Sequence, residues 1–174
     1  MVTPHIETIC EKLAKVLVSS QLSMCTAESC TGGLIAASCT QLSGSSVWFE
    51  RGFVTYSNAA KTELLKVPSA LIDLHGAVSE EVARAMALGA LVHSNARLSL
   101  AVTGVAGPTG GSAAKPVGTV WLAWAWRGLD QQTHSETLLQ QFKGSRADVR
   151  FATTALALAR LTEIAEKSFE KPSE

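Results

Sequence analysis

VGTVWLAWAWRGLDQQTHSETLLQQF, residues 117–142, is the stretch that decides the fold. Residues 117–126 are rich in valine and tryptophan, side chains that favour a pleated, packed surface, and they have the look of a central strand. Gly128 and Asp130 mark a turn, and residues 133–142 return as the hairpin partner. Two strands joined this closely must run antiparallel, which argues against an all-parallel sheet. Moving upstream, Leu98 to Thr103 reads as a buried strand that empties into a glycine-rich loop, Gly104 to Gly111. Before it, Ser79 followed by Glu80 and Glu81 starts a helix with acids at its positive end, and Val82, Met86 and Gly89 share one side of it. Residues 47–56 (VWFERGFVTY) are a further strand, with Gly52 a bulge or a close contact. Ser57-Asn58 then caps a short helix that carries Lys61 and ends near Leu65.

The ends of the chain complete the alternation. Thr3-Pro4 opens a helix in which Ile6, Ile9, Cys10, Leu13 and Leu17 recur at helical spacing. A short strand ends near Thr26-Ala27, a helix of small residues runs to about Leu42, and Gly44-Ser45-Ser46 turns the chain. Downstream of the hairpin, Ser145 and Asp148 form a capping pair for a last helix, whose expected inner face is Val149, Ala152, Leu156 and Ala159. Glu170 to Glu174 are expected to fray. Helices alternating with strands, closed by a hairpin, predict an α/β fold: one layered domain over residues 1–174, its ordered core about 5–165, with a mixed sheet flanked by helices.

Composition narrows the function classes. The 174 residues carry 15 basic and 15 acidic side chains, so there is no basic excess of the kind that bulk nucleic-acid binding requires. No run of apolar residues is long enough for a membrane span, and no signal peptide is visible. Cys10, Cys25, Cys30 and Cys39 form no CxxC pair and have no histidine cluster beside them, so no metal site is expected and they read as small core residues. Together these features predict a cytoplasmic protein with reduced thiols, without nucleic-acid or membrane partners.

Four stretches could carry chemistry. Ser29, in AESCTGG, stands between a strand end and a helix start, where backbone N–H groups lack intrahelical partners. Such donors, from Cys30, Thr31, Gly32 and Gly33, together with the helix dipole, could hold an oxyanion; a serine at this point also serves simply as a cap. Tyr56 and Lys61, in YSNAAK, supply a second set. A serine hydroxyl needs a base, none of the four histidines lies in a site-like stretch, and a desolvated lysine can take that role with the tyrosine as relay. Third, Thr103 and Gly104 open the glycine-rich loop, a backbone concavity suited to phosphate but without the Gly-Lys-Ser/Thr of a Walker loop. Fourth, Arg146 and Arg150, four apart on the last helix, suit a phosphate or carboxylate, or are a solvated basic face.

The order of these stretches is more specific than any one of them. AESCTGG (27–33), WFERGFVTYSNAAKTELL (48–65), HGAVSEEVARAMALGAL (75–91) and VTGVAGPTGGSAAKPVGTVWLAWA (102–125) closely resemble the CinA C-terminal domain family over about residues 5–165. The resemblance implies an α/β fold and hydrolysis of nicotinamide mononucleotide to nicotinic acid mononucleotide and ammonia, with no metal or cofactor. It also implies roles: Ser29 as nucleophile, Lys61 as general base assisted by Tyr56, Thr103 and Gly104 beside the nucleophile, and Arg146 as a substrate contact. The longer CinA proteins carry a further N-terminal domain for which this chain has no room. Two positions depart from the pattern. Ala113 and Ala114 stand where the family's loop has acids, and Ser145 replaces the acid before Arg146. Two other functions stay open at this point: a non-catalytic nucleotide-binding or regulatory module, and an amidase for another small amide. Alternation places Trp124 and Trp126 on one face of their strand, and a homo-oligomer is expected.

Overall fold

The computed structural model describes residues 3–169; the expected fraying of Glu170–Glu174 lies outside them. The fold is α/β, with five strands and six α-helices among the described residues. In chain order these are α1 (Pro4–Ser19), β1 (Met24–Glu28), α2 (Leu34–Thr40), β2 (Phe49–Val54), α3 (Asn58–Leu65), α4 (Ser69–His75), α5 (Glu80–Val92), β3 (Leu98–Gly104), β4 (Thr119–Arg127), β5 (Thr133–Gln141) and α6 (Arg146–Phe169). The sheet order is β2-β1-β3-β4-β5. β1 runs parallel to both β2 and β3, while β3, β4 and β5 are antiparallel neighbours, so the sheet is mixed, as the 117–142 hairpin requires.

Connectivity explains where a site can form. The chain steps from β1 to β2 through α2, then returns past β1 to β3 through α3, α4 and α5. α2 packs with α1 and α6 on one face of the sheet, and α3–α5 cover the other. Right-handed crossovers running in opposite directions across the sheet, β1 to β2 and β2 to β3, must use opposite faces. The loops after β1 and β2 therefore diverge, which opens a crevice at the carboxyl ends of the parallel strands. Register sets Glu28 beside Val54 of β2 and Val102 of β3, so the residues that follow all three strands emerge together.

Local chemistry explains most element boundaries. Thr3, Ser57 and Ser79 each accept a hydrogen bond from an orphan amide of the helix they precede, those of Ile6, Ala60 and Val82. At α6 the capping pair is reciprocal: Ser145 N donates to Asp148 Oδ2 at 2.8 Å and Asp148 N to Ser145 Oγ at 3.3 Å. Gly52 is a close contact rather than a bulge, because a Cβ there would stand 3.0 Å from Ala36 Cβ and Thr26 Oγ1. All four cysteines are buried and unpaired. Trp124 and Trp126 do share the face covered by α1 and α6; Trp124 is buried and donates its indole N–H to Ala157 O at 3.0 Å.

Three expectations need correction. The segment from 47 begins as a 3-10 turn, Ser45–Val47, so β2 is shorter than expected. α4 has no counterpart in the sequence reading: it has seven residues, of which only Ile72 is buried, too few to show a period. The buried face of α6 holds Val149 as expected, then Thr153, Thr154, Ala157, Leu158 and Leu161 among others, rather than Ala152 and Ala159; Leu156 packs against the core only partly buried. The threonines can face the core because each donates its hydroxyl to the carbonyl four residues back.

Gly89, on the buried side of α5, fixes how closely α3 approaches. A Cβ there would meet Leu65 O at 2.2 Å, and a backbone atom cannot swing aside. Alanine in a helix gains about 1 kcal/mol over glycine in propensity, while overpacking costs about 1–3 kcal/mol. Gly89→Ala is therefore expected to destabilise the protein despite the better helix former. The measurement is the urea midpoint, which should fall; a raised midpoint would show that α3 moves freely away.

Candidate active site

The crevice holds a small cavity of about 230 Å³, lined by residues following all three parallel strands. Ser29 and Cys30 come from the turn after β1. Tyr56, Asn58 and Lys61 come from the end of β2 and the start of α3. Thr103 and Gly104 end β3 and Ala106 follows it, Ala77 and Val78 precede α5, and Arg146 opens α6.

At its base, Lys61 Nζ lies 3.1 Å from Ser29 Oγ. Lys61 is 1% exposed and Ser29 9% exposed, although lysine is seldom buried without a partner. Its other polar contacts among the described residues are main-chain carbonyls, Thr55 O at 2.9 Å and Tyr56 O at 3.5 Å, and none of their carboxylates pairs with it. Burial without a counter-charge disfavours the ammonium, and the Lys61 pKa is pushed below the ordinary lysine value of 10.5. The adjacent Cys30 thiol is pushed up to about 12 by burial, so it stays protonated and is a poor competing nucleophile.

The turn after β1 departs from expectation. Gly33, in the left-handed region at φ 91°, occupies the cap position of α2 and offers no side chain. Glu28, fully buried, reaches forward instead. Its carboxylate accepts from Gly33 N (3.0 Å), Ile35 N (3.0 Å), Ala36 N (2.8 Å) and the Thr31 hydroxyl (2.7 Å). Gly32 N donates to Ser29 O at 3.1 Å. Gly32 and Gly33 thus cannot hold an oxyanion as expected, and the helix dipole already faces a carboxylate. Among the described residues, the amides of Cys30 and Thr31 are the ones in this turn left without an acceptor.

The remaining candidates divide. The Thr103 hydroxyl, buried, donates to Ala77 O at 2.8 Å and so ties one cavity wall to β3. Gly104 is needed where it stands, because a Cβ would lie 2.7 Å from Thr119 O. Arg146 donates to Gly107 O at 2.9 Å and to the Tyr56 hydroxyl at 3.1 Å, bridging the glycine-rich loop and the rim. Tyr56 is 60% exposed, and its carbonyl rather than its hydroxyl faces Lys61. A direct proton relay through that hydroxyl, expected from the sequence, does not match this arrangement. Arg150, one turn beyond Arg146, points elsewhere and donates to Thr31 O from Nε (3.2 Å) and Nη2 (2.6 Å). Sequence reasoning missed Glu28, Asn58, Ala77, Val78 and Ala106; none has a spacing that announces it.

No helix among the described residues is long and apolar enough to cross a membrane. The model of the CinA C-terminal domain family matches residues 6–165. Nicotinamide-nucleotide amidohydrolase PncC of Pseudomonas putida is 51% identical over 159 residues, covering 91% of this chain and 96% of that protein. PncC of Enterobacter agglomerans is 54% identical over 132 residues, 76% of this chain and 78% of that protein. A CinA-like protein of Colwellia psychrerythraea is 49% identical over 88% of this chain, which spans only 35% of that longer protein. Among solved structures, the competence/damage inducible protein CihA from Agrobacterium tumefaciens superposes with a TM-score of 0.87 at 41% identity, covering 94% of this chain and 98% of that one. By the family match and these identities, the chain belongs to the CinA C-terminal domain family.

Proposed function

We propose that the chain is an amidohydrolase that converts nicotinamide mononucleotide to nicotinic acid mononucleotide and ammonia, with Ser29 as nucleophile and Lys61 as base. One observation carries this proposal: a buried lysine amine, paired with no carboxylate, 3.1 Å from a serine hydroxyl at the base of a strand-end cavity. The names of the PncC relatives supply the substrate.

The hydrogen bonds around Nζ suit a neutral amine. Such an amine has two N–H donors and one lone pair. Thr55 O and Tyr56 O take the donors, and the lone pair is left to accept the Ser29 proton. As Oγ attacks the carboxamide carbon, Lys61 takes that proton, and the Cys30 and Thr31 amides hold the developing oxyanion. Lys61 then gives the proton to the departing nitrogen, which leaves as ammonia. Water, deprotonated by Lys61, cleaves the resulting ester, releasing the carboxylate and restoring the hydroxyl. A cationic pyridinium nearby adds to the bias toward the neutral amine.

The cavity is smaller than the roughly 300–1,000 Å³ of pockets that enclose a drug-sized ligand. It encloses the ring bearing the carboxamide, while ribose and phosphate lie toward the rim at Arg146 and Tyr56, whose hydroxyl orients that arginine. Ammonia release from the purified protein tests this directly. Turnover should fall from nicotinamide mononucleotide to its riboside to free nicotinamide. Equal turnover of all three would reject the substrate, and binding of the mononucleotide without turnover would reject the enzyme.

The pH dependence follows from the depressed pKa of Lys61. The active base is the neutral form, whose fraction grows as pH rises through the folded-state pKa. kcat/KM should therefore climb with pH and level off below 10.5. A rate that falls as pH rises toward that value would contradict the assignment.

A further inference from the structure

Glu28 and Arg150 play no part in the steps above, yet both grip the turn that carries the nucleophile. Glu28 holds it from inside, with four donors from residues 31–36 on a fully buried carboxylate. Arg150 holds it from outside, with two guanidinium donors on the single carbonyl of Thr31. The backbone between them needs such support. Gly32 and Gly33 both have positive φ, 58° and 91°, and two successive glycines are the least restricted pair a chain can contain. Ser29 N adds a tie to Val102 O at 3.0 Å on the β3 side.

We infer that Glu28 and Arg150 form a two-sided clamp that positions Ser29 and the Cys30 and Thr31 amides, so that Arg150 acts on the nucleophile's turn rather than as a ligand of the substrate. The clamp explains why two arginines one helical turn apart make unlike contacts. Arg146 faces the cavity rim, and Arg150 spends its donors on a main-chain oxygen. It also explains a glutamate where a helix would ordinarily be capped by a residue at its own start. Capping α2 from β1 leaves the cap position to Gly33, which has no side chain to offer. The inference rests on the proposed serine chemistry only for its kinetic consequences; the clamp itself is a statement about backbone order.

Arg150→Met tests it. Arg150 is half-buried on the long helix α6, and the apolar stem of methionine preserves packing. Small misplacement of reacting groups costs up to about 100-fold, so kcat for nicotinamide mononucleotide should fall about 10- to 100-fold with KM nearly unchanged. The rate at which a fluorophosphonate phosphonylates Ser29 with loss of fluoride, followed by intact mass, should fall in parallel. Hydrogen exchange at the amides of Gly33, Ile35 and Ala36 should quicken. Glu28→Gln, which keeps the length of the side chain but turns an acceptor oxygen into a donor, should produce the same pattern. A raised KM with unchanged kcat and unchanged labelling would overturn the inference and make Arg150 a substrate contact. Unchanged exchange in both variants would also overturn it. If the unmodified protein released no ammonia, the amidohydrolase proposal would fall, while exchange of these amides would still decide the clamp.

Discussion

Ser29→Ala is expected to abolish ammonia release from nicotinamide mononucleotide, lowering kcat by about 10⁴- to 10⁶-fold, the scale seen when a hydrolase loses its nucleophile. The expectation is sharp because no neighbour can substitute. Cys30 is adjacent, but its thiol is held protonated by burial, with a pKa of about 12. Thr31 spends its hydroxyl on Glu28, and Thr103 spends its own on Ala77. The fold should survive. Among the described residues the Ser29 hydroxyl pairs with Lys61 Nζ, which keeps Thr55 O and Tyr56 O as partners. Losing one such hydrogen bond costs about 1 kcal/mol. The variant should therefore unfold within a few degrees of the parent and still bind substrate by calorimetry, since Arg146 and the rim are untouched. Wild-type turnover in this variant would remove Ser29 from the reaction altogether.

The fold was largely written in the chain, and the site only in part, for different physical reasons. Caps and turns are local: Thr3, Ser57, Ser79 and the Ser145/Asp148 pair act within three residues of themselves, so they read directly from sequence. The 117–142 hairpin is local in the same sense. α4 was not legible, because a single buried side chain leaves no periodic trace. The face of α6 was misjudged because threonine counts as polar until its hydroxyl is seen bonded to its own helix. At the site, residue types suggested Ser29 and Lys61, but their 3.1 Å approach depends on two parallel strands ending side by side. Spacing along the chain contains no such information. Two of the four expected oxyanion donors, Gly32 and Gly33, were misassigned for a related reason. The sequence reading looked for the cap of α2 at its start, whereas the cap, Glu28, sits at the end of the preceding strand.

Lys61→Met separates a proton-transferring lysine from a merely structural one, because the two roles predict different pH dependences of stability. As general base, Lys61 contributes about 10²- to 10⁴-fold. The variant should lose that factor in kcat with KM little changed, and its residual rate should lose the rising pH limb assigned to Lys61. Stability is where burial matters. The folded pKa of Lys61 lies below its unfolded value, so the unfolded chain binds more protons between those two values. The penalty for burying this amine is fullest below the folded pKa and fades as pH rises toward 10.5. Methionine removes the penalty and fills similar space, at the cost of leaving Thr55 O and Tyr56 O without their partner, about 1–3 kcal/mol for each that stays dry. At neutral pH the variant should therefore be close to the parent in stability, and the parent should gain on it as the solution becomes more alkaline. Denaturant midpoints for both proteins at several pH values measure this difference. A variant that keeps kcat, or one whose deficit in stability is the same at every pH, would mean that Lys61 is charged in the resting protein and cannot accept the serine proton.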